Sequence, residues 1–282
     1  MMYQEYDEQT LQRLQHTELE ILKDFADLCD KHQIDYFGVG GTAIGAVRHQ
    51  GFIPWDDDID IGMLRKDYDR FLQIAEKELG EKYEILNFET NTNYPLPTTR
   101  LVKKGTVFQE YAMKGIDCNF GIFLDIYFFD NIADEDKAMR RQGKTAWFWG
   151  KLLILRKIAR PTLYYSGLKA SLITAACVCA HFFLRLFHIS PRFLYSKAMK
   201  ASRRYEDTPT KRVAYFFDPT PFTSIMKLDD IVPTKKMPFN GLMIKFPGNI
   251  HAYLERRYGD YMTLPPEDKR HNHPPMDLDF GE

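Results

Sequence analysis

Asp58 and Asp60 stand two residues apart in the run Trp55-Asp56-Asp57-Asp58-Ile59-Asp60-Ile61-Gly62-Met63. The acids alternate with Ile59, Ile61 and Met63, the period-two pattern of a strand with one buried face. Both carboxylates then project to the same side and can share one hard divalent cation. A third acid, Asp125, sits between Leu124 and Ile126 in the apolar, aromatic run from Phe120 to Phe129. That is poor company for a solvated surface acid. Placed alongside the first two, it completes a three-carboxylate site suited to Mg²⁺ or Mn²⁺. Such an ion neutralises phosphate charge and aligns the attacking and leaving oxygens of a phosphoryl transfer.

Upstream, Gly40-Gly41-Thr42 ends a short apolar run, Ile34 to Val39. Glycines let the backbone approach a phosphate closely, and Thr42 can cap the helix that follows. The amide hydrogens and dipole at that helix start favour an anion. By itself a glycine pair marks only a turn, and a run of acids is usually a solvated loop. Here the buried alternation counts against the loop. Acids crowded at the start of a buried strand repel one another unless a cation offsets them.

Supporting residues follow from position. Arg48 and His49 come just after the glycine helix, and Arg48 is a candidate for a donor phosphate. Arg100, Lys103 and Lys104 lie on the next predicted hairpin, as candidate cations for the leaving phosphate. Trp55 either stacks on a base or anchors its loop by packing. Asp57 is a candidate outer acid behind the metal ligands. Near the end, Arg270, His271 and His273 form either a metal or phosphate group or a solvated loop.

The elements that must position these residues are legible as periodicities. Leu11, Leu14, Glu18, Ile21, Leu22, Phe25 and Leu28 form a helical stripe over about 7–31, with Glu18 its one polar member. A strand is predicted over 34–39, a helix over 43–49, a strand around 59–63 and a helix over 66–79. Strands follow near 83–88 and 98–102. Lys103-Lys104-Gly105 is predicted to turn the latter into 106–111 as a hairpin. A central strand then carries Asp125. This order predicts an α+β fold, a mixed sheet with flanking helices, over 1–135. A helical extension follows over 136–205, and 206–282 completes the catalytic domain.

Charge divides the chain unevenly. The formal net charge is -1, so no whole-protein field for nucleic acid exists. Yet from Lys137 to Arg212 there are 17 Lys and Arg against two acids, Glu206 and Asp207. Between Lys169 and Arg185 lie 15 uncharged residues, fewer than the ~20 a helix needs to cross a bilayer. Two readings of this region stand. One is a buried helix with a solvated basic face. The other is an interfacial helix on an anionic membrane, which the rings of Trp147, Phe148 and Trp149 suit. No recognised nucleic-acid motif is present, and no nucleic-acid partner is expected. The four cysteines form no C-x-x-C pair and read as buried free thiols. The N-terminus is polar and acidic without an apolar core, which predicts a cytoplasmic location.

The stretch GTAIGAVRHQGFIPWDDDIDIG, 41–62, resembles the signature of the LicD family, which also includes the fukutin-related proteins. The order G-G-T, D-h-D-h, h-D-h, with h apolar, resembles the nucleotidyltransferase fold of the DNA polymerase β superfamily. The resemblance extends to RKDYDRF (65–71), FGIFLDIYFFD (120–130) and YLERRYGDYMTLPP (253–266). It covers roughly the first 130 residues and part of the tail.

The resemblance implies that Asp58 and Asp60 are metal ligands, that Asp125 is the third acid, and that Gly40, Gly41 and Thr42 form the phosphate-facing turn. It implies transfer of phosphocholine from CDP-choline, or of a polyol phosphate from a CDP-polyol, to a sugar hydroxyl. The acceptor is then a cell-surface glycan precursor, free or lipid-linked, and CMP is released. Two other readings use the same residues: a nucleotidyltransferase that releases pyrophosphate, and a membrane-bound scaffold without activity. A glycosyltransferase reading of D-x-D is opposed by the upstream G-G-T and by Asp125.

Overall fold

The structure, a computed structural model, describes residues 6–161, 167–270 and 272–281. The first helix, α1 (Glu8–Lys31), begins at Asp7, whose carboxylate accepts the Thr10 amide hydrogen at 2.9 Å. There follow β1 (Phe37–Gly38), α2 (Gly40–His49), β2 (Asp60–Leu64), α3 (Arg65–Glu78), β3 (Tyr83–Leu86), β4 (Thr99–Lys103), β5 (Val107–Gln109) and β6 (Phe123–Ile132). Three helices form the extension: α4 (Asp136–Lys157), α5 (Gly167–Leu186) and α6 (Pro191–Ser202). The chain then returns through β7 (Arg212–Tyr215), β8 (Ser224–Lys227), α7 (Leu228–Ile231), β9 (Lys235–Phe239), β10 (Leu242–Phe246), α8 (Ile250–Tyr258) and β11 (Asp277–Asp279).

The fold is α+β with a mixed sheet and flanking helices, and β6 is its hub. The first part of β6 lies between β2, to which it runs parallel, and antiparallel β4. Its last residues pair with β7, which carries β8. The long apolar run 120–129 is buried because this strand has neighbours on both edges. The parallel register sets Asp60 opposite Asp125.

Four local expectations are corrected. The predicted 98–111 hairpin does not form. β4 is already flanked by β3 and β6, so β5 has no free edge there and pairs instead with β11 from the far end of the chain. The predicted strand 34–39 contracts to Phe37–Gly38, the length that pairs with β2. The glycine helix starts at Gly40, and Thr42 does not cap it: its hydroxyl accepts the Asp60 amide hydrogen at 2.8 Å. Of the cysteines only Cys29 is buried, and Cys179 is exposed.

The C-terminal elements brace the glycine turn. β9 and β10 form a hairpin through Asn240 and Gly241, both at positive φ as a two-residue turn of this hand requires. Phe246 on β10 packs so tightly on Gly38 that a Cβ there would sit 2.3 Å from its ring. Asn240 Oδ1 accepts the Phe52 amide hydrogen at 2.8 Å and holds the loop leading to the acids.

The extension is bolted to the end of β6. Arg65 grips Asp130 through Nε at 2.6 Å and a terminal nitrogen at 2.9 Å, and the Ser202 hydroxyl donates to the same carboxylate. On α4, Gln142 Nε2 donates to the Asn131 carbonyl at 2.9 Å and the Ser202 carbonyl at 3.0 Å. α4 and α6 pack along one another.

Candidate active site

The glycine pair makes room for acids. At Gly40, with φ of 57°, a Cβ would lie 2.3 Å from Asp60 Oδ2. At Gly41 it would lie 2.5 Å from Asp56 Oδ2. Any larger residue would displace a carboxylate from the N-terminus of α2, where the helix dipole favours negative charge. Tyr253 on α8 holds the turn from behind, its hydroxyl accepting the Gly40 amide hydrogen at 3.0 Å.

Around this turn the acids crowd. Carboxylate oxygens of Asp56, Asp57 and Asp58 all lie within 4.8 Å of one another. Asp60 and Asp125 sit side by side on β2 and β6, with the Tyr127 hydroxyl near enough to Asp60 to favour its charged form. The Asp125 carboxylate accepts from Arg100 Nε at 3.1 Å. Arg100 is itself buried, clamped by Glu110 at 2.6 Å and laid over the Phe123 ring at 3.6 Å. Asp58, Asp60 and Asp125 lie near enough for their charges to act on one another, with Asp56 among them; Asp125 is buried and the other three are half-buried.

A further acid comes from α1. Glu18 is 1% exposed, and its Oε2 has no hydrogen-bond partner among the described residues. One turn earlier, Gln15 Nε2 donates to the Asp56 carbonyl at 2.8 Å, which fixes this face of α1 against the acid loop. Burial, then the charges of Asp58, Asp57 and Asp56, pushes the Glu18 carboxyl well above the usual range. Burial and the neighbouring acids likewise raise Asp58 to about 7 and hold Asp56 and Asp60 well above their ordinary values. Burial raises Asp125 against the pull of Arg100.

This donor set fits a divalent metal. Oxygen-only ligands, some buried and some half-buried, outnumber the cations beside them, Arg100, Arg48 and His273, and the Glu18 Oε2 has no hydrogen-bond partner among the described residues. Hard cations such as Mg²⁺ and Mn²⁺ take such ligands, and their charge offsets the repulsion that the cluster otherwise carries.

The other candidates divide. Arg48 Nε is buried without a hydrogen-bond partner among the described residues, and Asp56 is the charge that acts on it. It therefore faces the rim of the cluster. Beside it, burial and the Arg48 charge lower the His49 imidazole. Lys103 pairs with Glu20 at 2.7 Å and Lys104 donates to the Gly80 carbonyl at 2.5 Å, so both are committed away from the acids. Trp55 is half-buried in its loop, with the Arg270 guanidinium 4.9 Å over its ring. The tail crosses the site because β11 pairs with β5. The His273 amide donates to Asp57 Oδ2 at 2.7 Å, and its imidazole, 3.5 Å from Oδ1, is raised by that carboxylate. His271 lies outside the described residues.

Residues 33–148 match the family model described as LicD/FKTN/FKRP, nucleotidyltransferase domain. Over 280 residues the chain is 30% identical to the lipopolysaccharide cholinephosphotransferase LicD of Haemophilus influenzae, covering 94% of this chain and 96% of that protein. The chain belongs to the LicD family. It is therefore a phosphotransferase, with the acid cluster and glycine turn inside the matched domain. The match to the Haemophilus protein leaves too little of the chain uncovered to omit the helical extension, which thus belongs to the aligned body of a LicD relative. An uncharacterised protein of Rickettsia typhi is 48% identical over 63 residues, 22% of this chain and 20% of its own. One from Rickettsia prowazekii is 47% identical over 55 residues, 20% of this chain and 21% of its own.

Site residues that the periodicity reading passed over came from distant elements. Glu18 did leave a signal, as the one acid in an apolar helical stripe. Glu110, Tyr127 and Tyr253 left none, because nothing local distinguishes them from packing residues.

Proposed function

We propose that this LicD-family enzyme transfers phosphocholine, or a similar substituted phosphate, from a CDP-linked donor to a sugar hydroxyl of a lipopolysaccharide-type or lipid-linked surface glycan. The observation that carries the reading is the register of β2 on β6, which stacks Asp60 beside Asp125 behind a glycine turn. The near full-length likeness to a cholinephosphotransferase supports the transferred group. Asp58, Asp60 and Asp125 would hold Mg²⁺ or Mn²⁺, with Asp56 and Glu18 adjoining. When bound, the ion supplies charge neutralisation at the donor phosphates.

The chain's own groups do the positioning. The N-terminus of α2 and Arg48 present N–H donors to the donor phosphates. Arg100 fixes the rotamer of Asp125, whose second oxygen can accept the proton of the acceptor hydroxyl. The hydroxyl oxygen forms a bond to the phosphorus nearest choline. The bond from that phosphorus to the bridging oxygen breaks, and CMP leaves. The Trp55 loop, held by Arg270 and by Asn240, forms one wall. With a CDP-activated donor, the reading places the enzyme in the cytoplasm.

The test is incubation with a panel of CDP-linked donors, Mg²⁺ and a lipid-linked glycan acceptor. Release of CMP with phosphocholine on the glycan is expected. Release of pyrophosphate with nucleotide on the acceptor would replace this reading by nucleotidyl transfer.

A further inference from the structure

α5 inverts the usual rule of burial. Residues 170–184 carry no Asp, Glu, Lys or Arg, yet only His181 and Leu184 of the helix are buried. Leu172 is 63% exposed, Phe182 63% and Leu186 72%. The apolar surface continues past the helix, with the rings of Phe183 and Phe187 4.5 Å apart. It reaches α6 and α4 through Phe193, which lies 5.9 Å from Trp149, and exposed Phe148 beyond it. A soluble protein rarely leaves a continuous apolar surface of this kind without a partner for it. Trp147, by contrast, turns inward and donates to the Asp218 carbonyl at 3.0 Å.

The charge around this surface names the partner. Residues 137–205 contain fifteen Lys and Arg and no Asp or Glu. Arg160, Arg185, Arg192, Lys197 and Lys200 are exposed around α5 and α6. An apolar helix within a one-signed basic collar complements an anionic lipid surface.

The length of α5 now permits a crossing, unlike the uncharged run by itself. The helix includes Lys169 and Arg185 and has 20 residues, about 30 Å by its rise. The connectivity forbids it. α4 before the helix and α6 after it are bonded to the same end of β6 through Gln142 and Ser202, and they pack along one another. A single crossing would put these two helices on opposite sides of the bilayer. The nine residues joining α4 to α5 are too few for a second, returning helix. α5 is also held at one end, where the His181 imidazole hydrogen-bonds the Leu155 carbonyl at 2.8 Å. Residues 167–180 have no buried member.

We propose that α5 enters an anionic bilayer from one side and stays at its interface without crossing, with the basic residues of α4 to α6 on the headgroups. The inference is independent of the transfer chemistry.

The test uses the full chain with vesicles of phosphatidylcholine alone or with phosphatidylglycerol added. Binding is expected on the anionic vesicles and should weaken with salt. The L172Q/F182Q/L186Q variant should bind at least about tenfold more weakly, with unchanged circular dichroism and turnover on a water-soluble acceptor. In a background lacking Cys118, Cys177 and Cys179, Arg160→Cys and Arg192→Cys flank the helix. Both should react with a membrane-impermeant maleimide added outside the vesicles. Reaction at only one means that the chain crosses, reaction at neither means that both flanks are sunk in the bilayer, and either overturns the proposal. So does binding indifferent to lipid charge, or no vesicle binding. Self-association that the triple variant abolishes, in a protein that ignores vesicles, would assign the face to a second copy instead.

Discussion

The catalytic body and the helical extension break the burial rule in opposite directions. The body buries charge: Glu18, Asp57, Arg100 and Asp125 are each buried, several with like-charged neighbours. The extension exposes apolar side chains along α5, and residues 137–205 hold no acid. Each arrangement is costly in water with the chain alone, and each becomes favourable with one class of partner. On the readings proposed above, a divalent cation would offset the first and a lipid surface would cover the second. The two regions meet at Asp130, where charge is buried and fully paired, so burial of charge alone does not mark a site. The Glu18 oxygen, beside the acid loop and without a hydrogen-bond partner among the described residues, is what the metal reading uses; the Asp130 carboxylate, gripped by Arg65 and Ser202, marks a joint.

That contrast can be broken at the joint first, where the largest effect is expected. Asp130→Ala removes the two-point grip on buried Arg65, leaving it the longer 3.7 Å contact with Asp69, and should cost about 3–5 kcal/mol of stability. Urea denaturation followed by circular dichroism measures it; a loss below 1 kcal/mol would mean that the joint is not what unites the regions. In the cluster, Asp58→Asn or Asp60→Asn should lower turnover on the order of a hundredfold or more with the fold intact. Near wild-type turnover in either would remove the metal reading, and chelation by EDTA should stop the wild-type enzyme.

Glu18→Gln sharpens the comparison between a partnerless acid and a paired one. It should weaken Mn²⁺ binding, read by calorimetry, by about tenfold. The same variant should melt higher than wild type without metal, because the cost of holding that carboxyl buried among like charges has gone. Unchanged Mn²⁺ affinity would make Glu18 a structural acid only.

The pH dependence has a definite sign. Asp58 is raised to about 7 in the fold, against roughly 4 in an unfolded chain. Its charge therefore costs stability above about pH 4, fully so once the pH exceeds the folded value. The metal-free protein should melt higher at about pH 6 than at about pH 8, and Mg²⁺ should flatten that slope. A melting temperature that rises toward alkaline pH without metal would contradict the crowded cluster. The smallest effect is expected at Lys103, whose exposed pair with Glu20 stands apart from the acids. Lys103→Ala should change turnover within about twofold.

The sequence by itself determined the local chemistry. The alternation through Ile59, Ile61 and Met63 marked a strand, although it begins only at Asp60 and leaves Asp58 in the loop just before it, and the glycines marked the turn beside them. The lone acid in 120–129 was visible because an apolar background makes it so. The basic excess of the extension was a matter of composition. These are properties of spacing along one segment, and a segment carries them before it folds. The tertiary structure alone decided which segments became neighbours. That Asp60 faces Asp125 depends on the parallel register of strands 65 residues apart. Arg100 reaches Asp125 because β4 takes the other edge of β6, and once it does, β5 is left to pair with β11 and draws His273 onto Asp57. Tyr253 meets Gly40 only after the C-terminal helix has docked. Edges and register are settled by which strands are still unpaired when the sheet assembles, and no local period encodes that competition.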